Sequence, residues 1–304
     1  MIIYTHPACL LHDPGPEHPE RPARLEVVLE ALRGQHGDAD WREAPIVKLG
    51  DLRRVHDDAL VHEVLEADVT GYRMLDPDTV MCPASRASAL RAAVAGVAAV
   101  DAAMSGEDRA AFCAVRPPGH HAETRKAMGF CFCNSIAVGA MHAIAEHGIE
   151  RVAILDFDVH HGNGTEEIFK NDERVMLLSL FQHPFFPYCG DTPIGNNPNI
   201  VNTPLKSGTK GEEVREVVAD LWRYKLEEFQ PQIIFISAGF DGHLEDDMGN
   251  FGLVDADYKW ITERIVKWAQ TLCDGRIVSV LEGGYELSPL SRSVAVHVQA
   301  LVDA

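Results

Sequence analysis

Asp156, Asp158 and His160 alternate with Phe157 and Val159 at the end of one apolar run, and Asp241 closes another, IIFISAGF. On an extended chain alternate side chains share a face, so the two carboxylates and the imidazole are expected on one side. Carboxylates crowded together out of water require a cation or a proton. Two oxygens and one nitrogen suit a borderline divalent ion such as zinc, and three protein ligands leave a fourth position for water or substrate. Zinc is therefore assigned to Asp158, His160 and Asp241. Asp156 is left to hold a neighbouring imidazole or a hard monovalent ion. A structural hydrogen-bonding cluster is the alternative for Asp-x-Asp-x-His taken alone.

Other reactive side chains follow apolar runs in the same way. AFCAV leads to Arg116-Pro-Pro-Gly-His120-His121, VAILDFD to Val159-His160-His161-Gly-Asn163, and IVSVLEGG to Tyr285. Ligands of open α/β sheets bind beyond the carboxyl ends of the strands, so four separate stretches are expected to converge on one rim. The runs 111–115, 151–158, 175–181, 232–237 and 276–281 read as buried strands, with 2–5 as an edge or starting strand. Helical patterns fill 24–33, 84–104, 134–147, 212–229, 255–273 and 288–302, and the small side chains of 84–104 favour a helix packed closely on a sheet. The alternation predicts a single α/β domain over 1–304, with a parallel central sheet flanked by helices.

Lys and Arg number 27 against 46 Asp and Glu, a net charge of −19. That balance excludes a nucleic-acid backbone as partner and suits a cationic substrate, or simply a soluble surface. The seven cysteines are scattered through apolar runs, as reduced core thiols are. Cys131-Phe-Cys133 lacks the second pair that a metal clip needs. The opening MIIYTHPACLLHDPG has no secretory pattern, and no apolar run reaches the ~18 residues of a membrane span. A soluble, cytoplasmic protein without a membrane partner is expected, and any homo-oligomer would have to use loop surfaces of the domain.

The blocks Arg116-Pro-Pro-Gly-His-His-Ala122, Gly129-Phe-Cys131 with Asn134, Asp156-Phe-Asp-Val-His-His-Gly-Asn-Gly164, Ser237-Ala-Gly-Phe-Asp241 and Leu281-Glu-Gly-Gly-Tyr285 resemble the signature of the histone deacetylase superfamily. The likeness is greatest to the class II type and its bacterial amidohydrolase relatives, and it runs the length of the chain. The resemblance implies an arginase/deacetylase-type fold and hydrolysis of an acetyl or other short acyl amide by metal-activated water. It implies His121 as general base and then acid, and His120 as its electrostatic and hydrogen-bonding companion. Asp156 and Asn163 match the residues that orient His120 and His121, and Tyr285 matches the oxyanion donor. Gly129, Phe130 and Phe186 match the walls of an acyl-lysine channel, and Met248 falls where some relatives carry a polyamine-selecting glutamate. Potassium is implied near Asp156, Asp158, His160, Ser179 and Leu180, with a second position near Phe169, Asp172 and Val175. Arg21 matches a residue of an internal channel, and either Asp76 or Asp78 a residue that grips substrate. His183 and His243 are expected at the rim, and His142 and His147 as surface or core residues of a helix.

Three rival readings stand beside acyl-lysine hydrolysis. An acetylpolyamine amidohydrolase would use the same site. A two-metal ureohydrolase needs a second set of carboxylates, whereas Asp241 is followed by Gly-His. A non-catalytic sensor of acylated or cationic small molecules would be expected to lack a reactive group, and none is missing.

Overall fold

The computed structural model describes residues 1–46, 48–65 and 69–303. Among the described residues ten strands form in chain order: β1 (Ile2–Thr5), β2 (Asp40–Glu43), β3 (Arg73–Asp76), β4 (Thr79–Met81), β5 (Ala110–Cys113), β6 (Val152–Asp156), β7 (Val175–Gln182), β8 (Ile200–Leu205), β9 (Ile233–Ala238) and β10 (Ile277–Leu281). Eight of them make one parallel sheet in the order β2-β1-β5-β10-β9-β6-β7-β8, while β3 and β4 pair as an antiparallel hairpin. Strands β5, β6, β7, β9 and β10 are buried throughout. They read as continuous apolar runs because helices cover both faces of a parallel sheet.

The expected architecture is present, with four local corrections. β1 is the starting strand and not an edge, because the partly exposed Asp-Trp-Arg-Glu segment of β2 pairs outside it in register Ile2↔Asp40. The run 151–158 stops being a strand at Asp156, so Asp158 and His160 lie on the loop beyond. The stretch 212–229 is helical but interrupted by a π-helical segment, Val218–Trp222. The helix Ser85–Ser105 has the length of a membrane span, with a mean hydropathy of 1.4 over an 18-residue window, but 67% of that window is buried inside the fold.

That helix crosses Ser135–His147 at two glycines. A Cβ on Gly96 would lie 3.2 Å from Ser135 O, and one on Gly139 would lie 2.9 Å from the Phe235 ring. Gly139 thereby brings its helix against Phe235 of β9. Along the centre of the sheet β5, β10, β9 and β6 are neighbours, so the segments leaving their carboxyl ends face one another. Those segments hold Arg116–His121, Glu282–Tyr285, Gly239–Asp241 and Asp158–Asn163.

Candidate active site

Beyond β6 the chain turns on its own carboxylates. The Asp158 N–H donates to Asp156 Oδ1 at 3.1 Å and the His160 N–H to Asp158 Oδ1 at 2.9 Å. These Asx-type bonds replace the strand alternation that the sequence suggests. Asp156 therefore faces a different neighbour from the other two, and the convergence of Asp158 and His160 comes from the loop. One donor atom each from Asp158, His160 and Asp241 lies within 4.8 Å of the others. His160 Nδ1 is 3.1 Å from Asp158 Oδ1 and 3.2 Å from Asp241 Oδ2. All three residues are buried.

Backbone donors fix the carboxylates: Gly283 N–H to Asp158 Oδ2 at 2.9 Å, and Val159 N–H to Asp241 Oδ1 at 3.0 Å. Glycine is required around them, since a Cβ would lie 2.0 Å from Asp158 Oδ2 at Gly239 and 1.9 Å from Asp241 Oδ2 at Gly283. Burial, reinforced by Asp158, pushes Asp241 up to about 6. Burial also opposes the charge on Asp158, but His120 and His160 outweigh it and hold that carboxyl well below its usual range. Buried carboxylates so placed form a cradle for a cation.

The two adjacent histidines are set apart by their partners. His120 Nδ1 is 3.0 Å from Asp156 Oδ2, and His121 Nδ1 is 2.8 Å from Asn163 Oδ1. The Asn163 amide donates to Glu123 Oε1 at 2.8 Å, so its oxygen is the atom facing His121. His121 must then carry its proton on Nδ1, leaving the Nε2 lone pair free. Burial pulls His120 down, yet Asp158 and Asp156 overcome it and lift the imidazole to about 10. Burial and the neighbouring His120 and His160 hold His121 well below its ordinary value.

His121 and His160 line a cavity of about 310 Å³ together with Tyr285. Gly129, Phe130, Phe186 and Met248 form its walls, with Asp78, Asp247 and Tyr188 toward the mouth. The Phe186 ring meets His121 edge-on at 5.2 Å, and Phe130 meets Tyr285 at 5.7 Å. Gly129 has φ +56, and a Cβ there would lie 2.5 Å from His121 Cδ2. Burial raises the Tyr285 hydroxyl well above its usual value despite the opposing charge of Arg24. Of the two acidic residues that the sequence leaves undecided, Asp78 sits at the β3–β4 turn and lines the cavity, whereas Asp76 pairs with Lys126 at 3.1 Å.

The monovalent-ion positions differ from each other. Ser179 and Ser237 flank Asp156 in register, and each has a buried hydroxyl with no hydrogen-bond partner among the described residues. Leu180 follows Ser179 on β7. Near the second expected position, the carbonyls of Phe169, Asp172 and Val175 all accept from Asn197 Nδ2, at 3.0, 2.8 and 2.9 Å. An amide NH₂ therefore sits where those three carbonyls converge.

Arg21 is exposed, and the buried guanidinium is that of Arg24. It donates to Glu282 O at 2.6 Å, to Gly284 O and to Glu20 Oε1 at 3.0 Å. Arg116 grips the same Glu20 through both carboxylate oxygens at 2.6 and 2.7 Å. Phe185, stacked on His160 at 5.3 Å, and Asp246, which accepts from the Tyr285 N–H at 2.6 Å, are also absent from the sequence reading. A phenylalanine beside another and an aspartate among acidic neighbours carry no local signal. His243 pairs with Asp255 at 3.2 Å and stacks on Tyr258. Cys131 and Cys133 are free and buried.

The sequence profile of the histone deacetylase domain matches residues 18–301. A probable deacetylase of Archaeoglobus fulgidus is 36% identical over 294 residues, spanning 94% of this chain and 81% of that protein. A histone deacetylase-like amidohydrolase of Pseudomonas aeruginosa is 36% identical over 274 residues, spanning 88% and 72%. The solved HDA15 HD domain superposes with a TM-score of 0.94 at 31% identity, over 100% of this chain and 91% of that one.

Proposed function

The chain belongs to the histone deacetylase family, a family of hydrolases, and from that membership we propose a zinc-dependent amidohydrolase that removes an acetyl or other short acyl group from an acyl-lysine or similar amine. The observation that carries this reading is the meeting of Asp158, His160 and Asp241, with His160 lining a cavity that His121 and Tyr285 also line.

The donor set fits the ion. Two carboxylates and one imidazole are zinc ligands in open catalytic sites, and the glycine-walled cradle leaves their oxygens room. When bound, zinc supplies Lewis acidity to a carbonyl oxygen and makes water acidic enough to attack near neutral pH. Asp156, the unpartnered Ser179 hydroxyl and the Leu180 carbonyl, with Asp158 and His160, are the groups that would hold potassium.

His121, neutral with Nε2 free, accepts the proton of the attacking water and returns it to the leaving amine. His120 keeps its charge through Asp156 and stabilises the negative charge that develops. Tyr285, whose hydroxyl burial keeps protonated, donates to the carbonyl oxygen as it becomes an oxyanion. Phe130 and Phe186 enclose the methylene stem, which gains from apolar burial while its reactive end reaches the floor. Asp78 at the mouth accepts from a substrate N–H. The seven free thiols suit a reducing, cytoplasmic setting.

Acetylpolyamine hydrolysis is the second reading, favoured by the carboxylates of Asp78 and Asp247 at the cavity mouth. A screen of acyl-lysine peptides against acetylated polyamines, with metal analysis of the same sample, separates the two. Absence of turnover on every substrate with zinc supplied would leave only the sensor reading.

A further inference from the structure

The helix Ser135–His147 starts near the active site, where Asn134 accepts from the Ala137 N–H at 3.0 Å and donates to Ala122 O. It ends about 20 Å away, at 1.5 Å per residue. At that far end His142 and His147 both aim Nε2 at one carboxylate oxygen, Asp101 Oδ1, each at 2.7 Å. Asp101 belongs to the neighbouring helix Ser85–Ser105. The two imidazole planes stand at 69° with centroids 5.5 Å apart, so they reach the oxygen from different directions.

Hydrogen bonding alone leaves one atom unexplained. His142 is 8% exposed, and its Nδ1 has no hydrogen-bond partner among the described residues. Asp51 Oδ1 lies 3.7 Å from that nitrogen. Asp51 is buried and pinned by Arg54 Nη1 at 2.9 Å. If a neutral His142 donates its Nε2 proton to Asp101, Nδ1 turns a lone pair toward that buried carboxylate. An ion on Nε2 reverses the arrangement: the proton resides on Nδ1 and points at Asp51, the imidazole–carboxylate pairing that supports metal ligands. A doubly protonated His142 is the competing arrangement.

We propose that Asp101, His142 and His147 form a second divalent-metal site, separate from the active site, which takes zinc or a comparable borderline ion and clamps the two helices together. Two imidazoles and a carboxylate are a zinc donor set. Bonds of 2.0–2.1 Å place tetrahedral ligand atoms about 3.3 Å apart, and Asp101, with 55% of its side chain exposed, is free to retreat by that difference. His147 is partly open to solvent, which leaves an approach for water as the fourth ligand.

The test is zinc per chain after chelator-stripped protein is reloaded with micromolar zinc and passed through gel filtration. Wild type should hold one zinc more than His147→Ala or Asp101→Asn, whatever the active site itself retains. Zinc should also raise the melting temperature of Asp158→Ala by several degrees, and His147→Ala in that background should abolish the rise. Hydrolysis by the single variant His147→Ala should stay within twofold of wild type. Equal zinc content in wild type and both variants, or binding only at millimolar zinc, overturns the proposal.

Discussion

The guanidinium carbon of Arg24 lies 4.7 Å from the centroid of the Tyr285 ring, over its face. The same side chain donates to the carbonyls of Glu282 and Gly284, so one fully buried cation braces both the ring and the backbone that delivers it. Arg24→Met leaves two carbonyls and part of Glu20 unpaired in the interior. Breaking a buried pair in this way costs about 3–5 kcal/mol. Thermal or urea unfolding should register a loss of that size, with turnover falling more than substrate affinity. Unchanged stability and turnover would remove Arg24 from this role.

Tyr285→Phe takes away the hydroxyl and little else. Loss of one oxyanion donor lowers turnover by about 10²–10³-fold. Steady-state kinetics should show that drop in kcat with the metal content of the variant equal to wild type. Full activity in the variant would place the oxyanion donor elsewhere.

Asn163 is expected to set the acid limit of the pH profile through its hydrogen bond to His121. His121 is held below its ordinary value by burial and by two neighbouring imidazoles, so it stays neutral near pH 7 and activity fails only as the pH drops through its depressed pKa. Asn163→Asp puts a carboxylate 2.8 Å from Nδ1, favours the charged ring and raises that pKa by about 1–3 units. The acid limb of kcat/KM should move to higher pH accordingly. An unmoved limb would mean that another group titrates there.

Asp158→Ala removes an oxygen donor and the acceptor of the Gly283 and His160 backbone N–H groups. Metal analysis is expected to find the active-site ion gone and hydrolysis lost with it. Retained hydrolysis would place the ligand set elsewhere.

Much of this arrangement was legible in the sequence, and the limits have physical causes. Fully buried strands such as β6 and β9 announce themselves as apolar runs. β2 and β8 do not, because Asp-Trp-Arg-Glu and Ile-Val-Asn-Thr-Pro-Leu lie toward the sheet edges and are partly solvated. The chemistry of the strand ends is visible as polar residues following apolar ones, which is why Asp158, His160 and Asp241 can be grouped although His160 and Asp241 stand 81 positions apart. Their convergence has a different origin from the alternation that suggests it, since the chain leaves the strand at Asp156 and turns on side-chain hydrogen bonds. Arg24 rather than Arg21 faces inward because the helix Pro22–Gln35 begins between them, and a three-residue shift there changes which side chain meets the core. Asn197 has no local signal at all: its partners lie 22 to 28 residues upstream.

The lip of the cavity and its floor come largely from separate pieces of chain. Asp78 stands at the tip of a two-stranded hairpin outside the main sheet, and Phe186 and Tyr188 on a segment that holds no ion donor. Selection can therefore reshape what enters this enzyme by exchanging those segments, while the glycine-walled cradle beneath tolerates almost no change. Diversity of substrates over an invariant reaction is the evolutionary pattern that such a division of labour invites.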